Sequence, residues 1–164
     1  MFSLQGHEDV VQSAAFSANG SVIVTGSADK TIKYWDWNGT CLKTLREADH
    51  SILSLSFLQD DNRLVSGSDD NHLRIWNLEA GKRESIIEGH PGDIQSFATS
   101  ATGKTFLSGS LNGTICIWSR ESGRVFNRLA RHRSRVRSLD FSPDGKTFLS
   151  AGDDGKIMIW DVFS

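Results

Sequence analysis

Four tryptophans recur along the chain at a nearly constant interval, and this period constrains the fold more than any other feature. Trp35, Trp76, Trp118 and Trp160 are separated by 41, 42 and 42 residues. A repeated unit of about 40 residues is typical of architectures in which each unit buries its apolar face against the next one. The sequence therefore contains four copies of one unit, and we expect them to pack in series.

Each copy is made of short segments rich in Val, Ile, Phe and Thr, which is the pattern of β-strands. The connecting turns SANG (17–20), SATG (100–103) and SPDG (142–145) each end in a glycine that can adopt φ > 0 without steric cost. No stretch shows the 3.6-residue apolar stripe and capping residues of an amphipathic helix. The chain is therefore predicted to be all-β.

The strand that ends at each tryptophan carries large apolar groups on both of its faces. In TIKYW (31–35), Ile32 and Tyr34 lie on one face and Trp35 on the other, and the three later copies follow the same order. Such strands are predicted to be buried on both sides, as happens when small sheets stack face to face around an axis.

These features resemble the WD-repeat β-propeller family over essentially the whole chain. The residues that carry the resemblance are the Gly-His pairs at 6–7 and 89–90, the Gly-Ser pairs at 26–27, 67–68 and 109–110, the SPDG turn, and the Trp-Asp pairs at 35–36 and 160–161. The resemblance implies a β-propeller of four WD-type, four-stranded blades, with strands named A to D, in one region over residues 1–164. The expected repeats lie near 1–36, 41–77, 82–118 and 123–161.

The resemblance also places the strands. Strand D of the first three copies is expected at CLKTL (41–45), KRESIIE (82–88) and RVFNRL (124–129). Strand A is expected near 11–17, 52–57, 94–99 and 136–142, and strand C near 31–36, 72–77, 114–118 and 156–161.

A buried hydrogen-bond network in each blade is a further implication of the resemblance. It links a His before strand A, a Ser or Thr at the end of strand B, an Asp in the next turn and the strand C Trp. Copy one is expected to be complete, whereas Ala48 replaces the His of copy two, Asn112 the Asp of copy three and Gly152 the Ser of copy four. Each gap should weaken a blade by about 0.5 to 1.5 kcal/mol. The expected members are His7, Ser27, Asp29, Trp35, Ser68, Asp70, Trp76, His90, Ser110, Asn112, Trp118, His132, Asp154 and Trp160.

Grouped Ser, His and Asp residues also raise the question of a hydrolase triad. Here they recur once per copy beside a Trp, whereas a catalytic site should be singular and exposed. The sequence has no nucleophile elbow, phosphate-binding glycine loop or His-Glu-x-x-His motif. The pairs Asp69-Asp70 and Asp153-Asp154 lie in turns, where Asp is a turn former rather than evidence of a metal site. We therefore expect a non-catalytic protein that needs no cofactor and no metal.

Protein partners are expected on the face that carries the D-to-A and B-to-C loops, because members of the family usually bind there. Self-association that closes the ring is a second expected interaction. By position, the residues expected to face a protein partner are Arg135, Arg137, Asp93, Gln95, Ala28, Asp69, Leu111 and Asp153. The expected function is thus a protein–protein interaction scaffold.

An arginine-rich segment supports an alternative function. Residues 120–137 hold seven Arg against one acidic residue, Glu121, in a chain of formal net charge −2. Such a patch could bind an acidic protein segment, nucleic acid or an anionic lipid surface, but a solvated surface without a partner is the favoured interpretation. The alternation of strand D spreads these arginines over different surfaces, and nucleic acid is therefore the less favoured partner.

Composition and targeting signals indicate where in the cell the protein is located. The chain is 38% apolar and 23% charged, as in ordinary globular proteins. It has no signal-peptide pattern, and no apolar run approaches the roughly 20 residues of a membrane span. Cys41 and Cys116 stand in unrelated contexts and make no disulfide framework. An intracellular location, in the cytoplasm or also the nucleus, is expected, with no membrane contact.

The last copy has no strand D after Trp160, and MFSLQGH (1–7) aligns with the ends of the earlier D strands. The chain is therefore predicted to consist of four D-A-B-C units, whose final strand C has an open edge. That edge must pair with a short strand ending in Leu4 or remain unpaired. A fragment of a longer chain, a homodimer that closes an eight-bladed ring and a strained four-bladed ring are the three arrangements left open.

Overall fold

The computed structural model describes residues 3–46, 48–58 and 61–162, and these residues form fifteen β-strands in four antiparallel sheets. Blades 1 to 3 have four strands and blade 4 has three. Blade 1 contains β1 (Val11–Phe16), β2 (Ile23–Ser27), β3 (Ile32–Trp35) and β4 (Cys41–Leu45), and blade 2 contains β5 (Ile52–Phe57), β6 (Arg63–Ser68), β7 (Leu73–Asn77) and β8 (Lys82–Ile87). Blade 3 contains β9 (Ile94–Thr99), β10 (Thr105–Ser110), β11 (Thr114–Ser119) and β12 (Arg124–Ala130), and blade 4 contains β13 (Val136–Phe141), β14 (Thr147–Gly152) and β15 (Ile157–Asp161).

In every blade the strands follow one another across the sheet in chain order, which confirms the all-β, four-bladed propeller arrangement. The innermost strands β1, β5, β9 and β13 correspond to strand A, and each of the first three packs beside the next.

The predicted turns between strands A and B form as their glycines require. The Gly20 N–H donates a 2.9 Å hydrogen bond to the Ser17 carbonyl, and Gly20 has φ = 67°. Gly103 and Gly145 repeat this geometry in blades 3 and 4. In blade 2, Asp61 takes the glycine position with φ = 50°, a conformation that Asp tolerates better than most residues.

The apolar core is divided into three clusters, one at each junction between consecutive blades. At the first junction, Val24 and Ile32 of blade 1 pack with Ile52, Leu55 and Phe57 of blade 2. Aromatic stacking adds to the third blade, where the ring centroids of Phe106 and Trp118 lie 5.7 Å apart. The propeller is therefore stabilised mainly by burial of apolar area between blades.

The arc of blades is open. Within the described ranges, β13 and β1 show no packing like that between the other neighbouring A strands, so the strained four-bladed ring is not formed. The sheet of blade 4 ends at β15, and the described residues before β1 form no strand against it. Burial on both sides was predicted for strand C of blade 4, but Ile157 and Ile159 on one of its faces are exposed, because none of the described strands packs on that face.

Candidate functional site

The buried network of blade 1 joins the loop before strand A to the turn between strands B and C. His7 Nδ1 lies 2.8 Å from Asp29 Oδ2, and His7 Nε2 lies 2.7 Å from Thr25 Oγ1. The Trp35 indole N–H donates a 2.8 Å hydrogen bond to the same Thr25 hydroxyl. Because a carboxylate can only accept, the geometry places the His7 proton on Nδ1. His7 and Thr25 thereby connect the loop before strand A, strand B, the turn between strands B and C, and strand C.

Hydrogen bonds keep the Asp29 carboxylate charged. Burial raises its pKa, but the Thr31 hydroxyl, the Glu8 backbone N–H and His7 all bind the charged form. The net result is an Asp29 pKa well below its usual value of 3.8.

The hydroxyl of this network is not the one expected from the sequence. Ser27 was predicted, but Thr25 makes the contacts, because Trp35 lies opposite Ile23 in the ladder and Thr25 is the next residue on the same face. Ser27 is four residues from Ile23, about 13 Å along the strand from the residue opposite Trp35, and its hydroxyl donates to the Asp9 carbonyl instead. Trp76 and Trp118 likewise donate to Ser66 and Ser108 rather than to the expected Ser68 and Ser110. Ser68 and Ser110 nevertheless bind the expected turn residues, Asp70 and Asn112.

Blade 4 has the same four members as blade 1, although Gly152 was expected to leave it incomplete. Ser150 supplies the hydroxyl: it lies 2.7 Å from His132 Nε2 and accepts a 2.7 Å hydrogen bond from the Trp160 indole. The hydrogen bond from His132 lowers the pKa of Asp154 to about 2, against the opposing effect of burial. Blades 1 and 4 thus both have a complete network of His, hydroxyl, Asp and Trp.

Blade 2 replaces the missing His with a buried arginine that sequence reasoning did not identify. Arg74 donates to Ser68 Oγ at 2.6 Å and to Asp70 Oδ2 at 2.6 Å. Burial raises the pKa of Asp70, but the hydrogen bonds from Arg74 and Ser68 outweigh it and leave this pKa well below its usual value. Ala48, at the expected His position, is buried and apolar. In blade 2 the turn between strands B and C is therefore anchored by Arg74 of strand C, and not by a His in the loop before strand A.

Blade 3 keeps its His but breaks the link to the turn. His90 Nδ1 lies 3.0 Å from the Gly92 carbonyl, and Asn112 donates to the Pro91 carbonyl at 2.9 Å. Burial lowers the pKa of His90, which favours its neutral form. Asn112 therefore holds the loop through the backbone rather than through the histidine.

A periodic signal could have identified the correct hydroxyls. Each one lies ten residues before its Trp in the chain: Thr25, Ser66, Ser108 and Ser150. All four are buried, and each accepts an indole N–H. They serve as acceptors that hold strands B and C together, an arrangement repeated in every blade and unlike a single reactive centre.

The residues expected to meet a partner are partly brought together at the loop face, which we define as the end of the blades with the D-to-A and B-to-C loops. Asp153 N–H donates to the Arg135 carbonyl at 2.9 Å, and the Arg137 Nε donates to Asp153 Oδ1 at 2.7 Å. The hydrogen bond from Arg137 lowers the pKa of Asp153. Arg137 and Asp153 are exposed, whereas Arg135 is half-buried.

The remaining expected residues are distributed along the same face. Leu111 N–H donates to the Asp93 carbonyl, and Ala28 N–H to the Val10 carbonyl, both at 2.9 Å. Asp69 is exposed and lies 3.2 Å from His50 Nδ1, and Gln95 is half-buried in β9. Each blade thus presents its own pair of loops, and the expected residues form a series rather than one cluster.

No metal site is found in the described ranges, where no group of three or more His, Cys, Asp or Glu side chains could hold an ion. No helix in the same ranges is long and apolar enough to cross a membrane.

Comparison with known proteins agrees with the fold. A family model described as "WD domain, G-beta repeat" matches residues 1–36, 39–77, 81–119 and 123–161. The chain is 37% identical over 90 residues to Protein tipD of Dictyostelium discoideum, an alignment that covers 54% of this chain and 15% of that protein. It is 32% identical over 113 residues to the Periodic tryptophan protein 2 homolog of Schizosaccharomyces pombe, which covers 63% of this chain and 13% of that protein. The chain therefore spans a small part of these relatives.

Proposed function

Because the chain belongs to the WD40 repeat family, whose members are generally protein-interaction modules, we propose that it is a non-catalytic scaffold that binds a protein partner on its loop face. The observation that carries the proposal is that the buried networks fix the loops of the loop face in position. In blades 1 and 4 the His–Asp contact ties the D-to-A loop to the B-to-C turn. Loops held in this way need little ordering on binding, and preorganisation of this kind favours affinity.

The chemistry of the loop face suggests the centre of the interface. Arg137 and Asp153 of blade 4 form an ion pair, and the backbone of Asp153 is hydrogen-bonded to that of Arg135. Leu111 of blade 3 adds an exposed apolar side chain. Arginine is enriched at energetically important interface positions, and this group suits a partner segment that carries carboxylates.

We propose further that residues 1–164 act as one propeller region with repeats near 1–36, 41–77, 82–118 and 123–161, inside the cell.

A charge-reversal experiment tests the loop face. The chain and its Arg135→Glu/Arg137→Glu variant are used as baits in quantitative affinity capture, and captured proteins are then titrated individually. The control is Arg124→Glu, a charge reversal of an exposed residue at the start of β12. We expect at least about a tenfold loss of affinity, or about 1.4 kcal/mol, for the loop-face variant alone. Equal losses for both variants would place the binding surface elsewhere.

Nucleic acid is the alternative that the arginine-rich segment favours, since Arg124, Arg131 and Arg133 are exposed. Two other arginines of the segment already donate within the chain, Arg128 to the Gly89 carbonyl and Arg137 to Asp153. Titration of a labelled duplex and a labelled single strand at increasing salt separates the two functions. A steep loss of affinity with salt would support nucleic-acid binding through counterion release.

A second copy of this chain is the other partner that we propose. It would use the two ends of the arc rather than the loop face, and the two kinds of binding could therefore occur together.

A further inference from the structure

A serine in the loop before strand A of blade 4 has the flanking residues of a kinase target. Ser134 has Arg131 three residues before it and Arg133 one residue before it. Arginine also follows it at one and three residues, as Arg135 and Arg137. Basophilic serine/threonine kinases select such segments, because acidic groups in their substrate clefts pair with the flanking guanidinium groups. The segment is therefore chemically suited to phosphorylation.

The same arginine spacing precedes one other serine, and the structure distinguishes the two. Ser138 follows Arg135 by three residues and Arg137 by one, but it lies within β13 and is opposite Ala151 of β14 in the ladder. Ser134 lies in the loop between β12 and β13. A kinase must contact the backbone on both sides of its target, and a loop on the surface offers that backbone more readily than a paired strand.

The hydroxyl of Ser134 reaches solvent. The residue is half-buried, and its hydroxyl makes no hydrogen bond within the described ranges. The buried side-chain nitrogen and oxygen atoms that lack a partner in these ranges are Arg74 Nε and Arg135 Nε, so the unpaired oxygen of Ser134 is not among the buried atoms. Its modification would therefore break none of the hydrogen bonds described above.

Blade 1 carries an anionic side chain at the equivalent loop position. Asp9 lies two residues before β1, as Ser134 lies two residues before β13. In both loops the residue after the network His donates its backbone N–H to the turn Asp. The Val10 backbone N–H donates a 2.7 Å hydrogen bond to Asp9 Oδ1. The loop thus accommodates an anion at this position, and in blade 4 the Arg135 backbone N–H corresponds to that donor.

Cationic side chains flank the same position in blade 4. The side chains of Arg131, Arg133 and Arg137 are exposed. Arg135 Nε is buried and has no hydrogen-bond partner in the described part of the chain, and an unpaired buried donor calls for an acceptor. A phosphate on the preceding residue would add about −1.5 to −2 charge and three acceptor oxygens.

Two carboxylates of the adjacent B-to-C turn oppose this attraction, but both already have partners. Asp153 Oδ1 accepts a 2.7 Å hydrogen bond from Arg137 Nε, and Asp154 Oδ1 lies 2.9 Å from His132 Nδ1. The four arginines of residues 131–137 outnumber them. The local net charge is therefore positive and attracts a phosphate.

We propose that Ser134 is a phosphorylation site for a basophilic serine/threonine kinase, and that its phosphate binds Arg135 and weakens the binding of an acidic partner to the loop face. The Ser134 oxygen attacks the γ-phosphorus of ATP, the bond from that phosphorus to the β–γ bridging oxygen breaks and ADP leaves, while the hydroxyl proton passes to the catalytic carboxylate of the kinase. The effect on binding rests on the proposed function, in which Arg135 and Arg137 meet the carboxylates of the partner.

Phosphorylation of the folded chain is the first test. The chain is incubated with ATP, Mg²⁺ and the purified catalytic domain of cAMP-dependent protein kinase or of protein kinase C, and the modified residues are mapped by mass spectrometry. We expect phosphate on Ser134 and none on Ser138. A synthetic peptide of residues 128–142 is the matched control, because it has both serines without the sheet, and both should react. A folded chain that gains no phosphate on Ser134 from either kinase overturns the proposal.

The contact between phosphate and arginine has a readout that needs no partner. Phosphorus NMR follows the second ionisation of the phosphoserine, whose ordinary pKa is about 6. Cations favour the dianion and lower this pKa, so it should be lower in the folded chain than in urea. Arg135→Gln should reduce the difference, whereas Arg124→Gln, at an exposed position of β12, should not. Equal pKa values in the folded and unfolded chain would overturn the contact.

The effect on binding is measured with a labelled oligoglutamate peptide as the acidic probe. Phosphorylation of Ser134 should weaken its affinity at least about tenfold, because like charges then face each other. Ser134→Glu should weaken it in the same direction, and Ser134→Ala should leave it unchanged. The matched control is Ser122→Glu, at an exposed residue of the turn between β11 and β12, on the end opposite the loop face. Equal losses for Ser122→Glu and Ser134→Glu would overturn a local effect.

The outcomes separate this inference from the proposed function. An unmodified chain that binds neither the acidic probe nor a protein partner overturns loop-face binding and its control by phosphate. The modification itself is then decided by the kinase reaction and the phosphorus titration. A chain that binds its partner equally well with and without phosphate on Ser134 keeps the proposed function and overturns the regulation.

Discussion

The indole N–H of Trp160 donates a 2.7 Å hydrogen bond to the hydroxyl of Ser150, which lies ten residues earlier on the neighbouring strand. The same hydroxyl lies 2.7 Å from His132 Nε2. One small side chain therefore connects strand B, strand C and the loop before strand A. The Thr25 hydroxyl makes the same two contacts in blade 1. In both blades a buried hydroxyl therefore fixes the loop before strand A against strands B and C.

Removal of this hydroxyl should destabilise blade 4. Ser150→Ala leaves the Trp160 N–H and His132 Nε2 without their partner, and we expect a loss of about 1 to 3 kcal/mol in the free energy of unfolding. Urea denaturation monitored by tryptophan fluorescence measures the change. Ser138→Ala, at an exposed position of β13, is the control and should change stability little. Equal effects of the two variants would contradict the role of Ser150.

The buried arginine of blade 2 should be more costly to remove than to replace together with its partner. Arg74→Met leaves Asp70 charged and partly buried, and we expect a loss of about 1 to 3 kcal/mol. This is below the 3 to 5 kcal/mol of a fully buried pair, because Asp70 retains some contact with water. Arg74→Met/Asp70→Asn should recover part of the loss. If the double variant loses as much free energy of unfolding as Arg74→Met and Asp70→Asn lose in sum, the two residues are not coupled.

Stability should fall in acid through the network carboxylates. The pKa of Asp154 is about 2 in the folded protein and 3.8 as its ordinary value. The unfolded chain therefore binds more protons in this window, and stability is present above about pH 4 and lost as pH falls toward 2. Asp154→Asn should reduce the slope of stability against pH between these values. Thermal unfolding from pH 2 to 6 measures it, and unchanged slopes would contradict the assigned shift.

Blade packing should be sensitive to a single methyl group at Gly67. A Cβ there would lie 2.6 Å from Ile94 Cβ, and Gly67→Ala should cost about 1 to 3 kcal/mol through overpacking. Ile94→Ala removes the nearest obstructing atom, Ile94 Cγ2 at 2.5 Å, although the Ile94 Cβ remains, and it has its own cavity cost. The double variant should lose less than the sum of the two single losses, as measured in a double-mutant cycle of urea denaturation. Simple additivity would show that the two residues do not compete for space.

The ion pair on the loop face should matter little for folding. Arg137 and Asp153 are both exposed, and exposed pairs contribute little to stability. Arg137→Ala should therefore leave the unfolding midpoint unchanged within error, in low and in high salt. A marked shift would mean that loop-face variants cannot separate binding from stability.

The strand positions could be predicted from the sequence because they depend on local properties. The period of the tryptophans, the alternation within each strand and the glycine of each A-to-B turn are read along the chain, and strand A was predicted within one residue of β1, β5, β9 and β13. The network hydroxyls were missed, since Thr25 and Ser27 point to the same face and are equally polar. The hydroxyl found ten residues before every Trp favoured Thr25, but the contact itself depends on cross-strand register, which places Trp35 opposite Ile23.

The sequence by itself thus determined that this chain forms four copies of an antiparallel β-unit, because periodicity and turn chemistry act over a few residues. The tertiary structure decided that Arg74 replaces a histidine, that Ser150 completes blade 4, and that Phe16 and Ile159 are exposed while their counterparts are covered. These results depend on which side chains meet across strands and blades. Such distances are set by packing in three dimensions, where residues far apart in the chain compete for the same space.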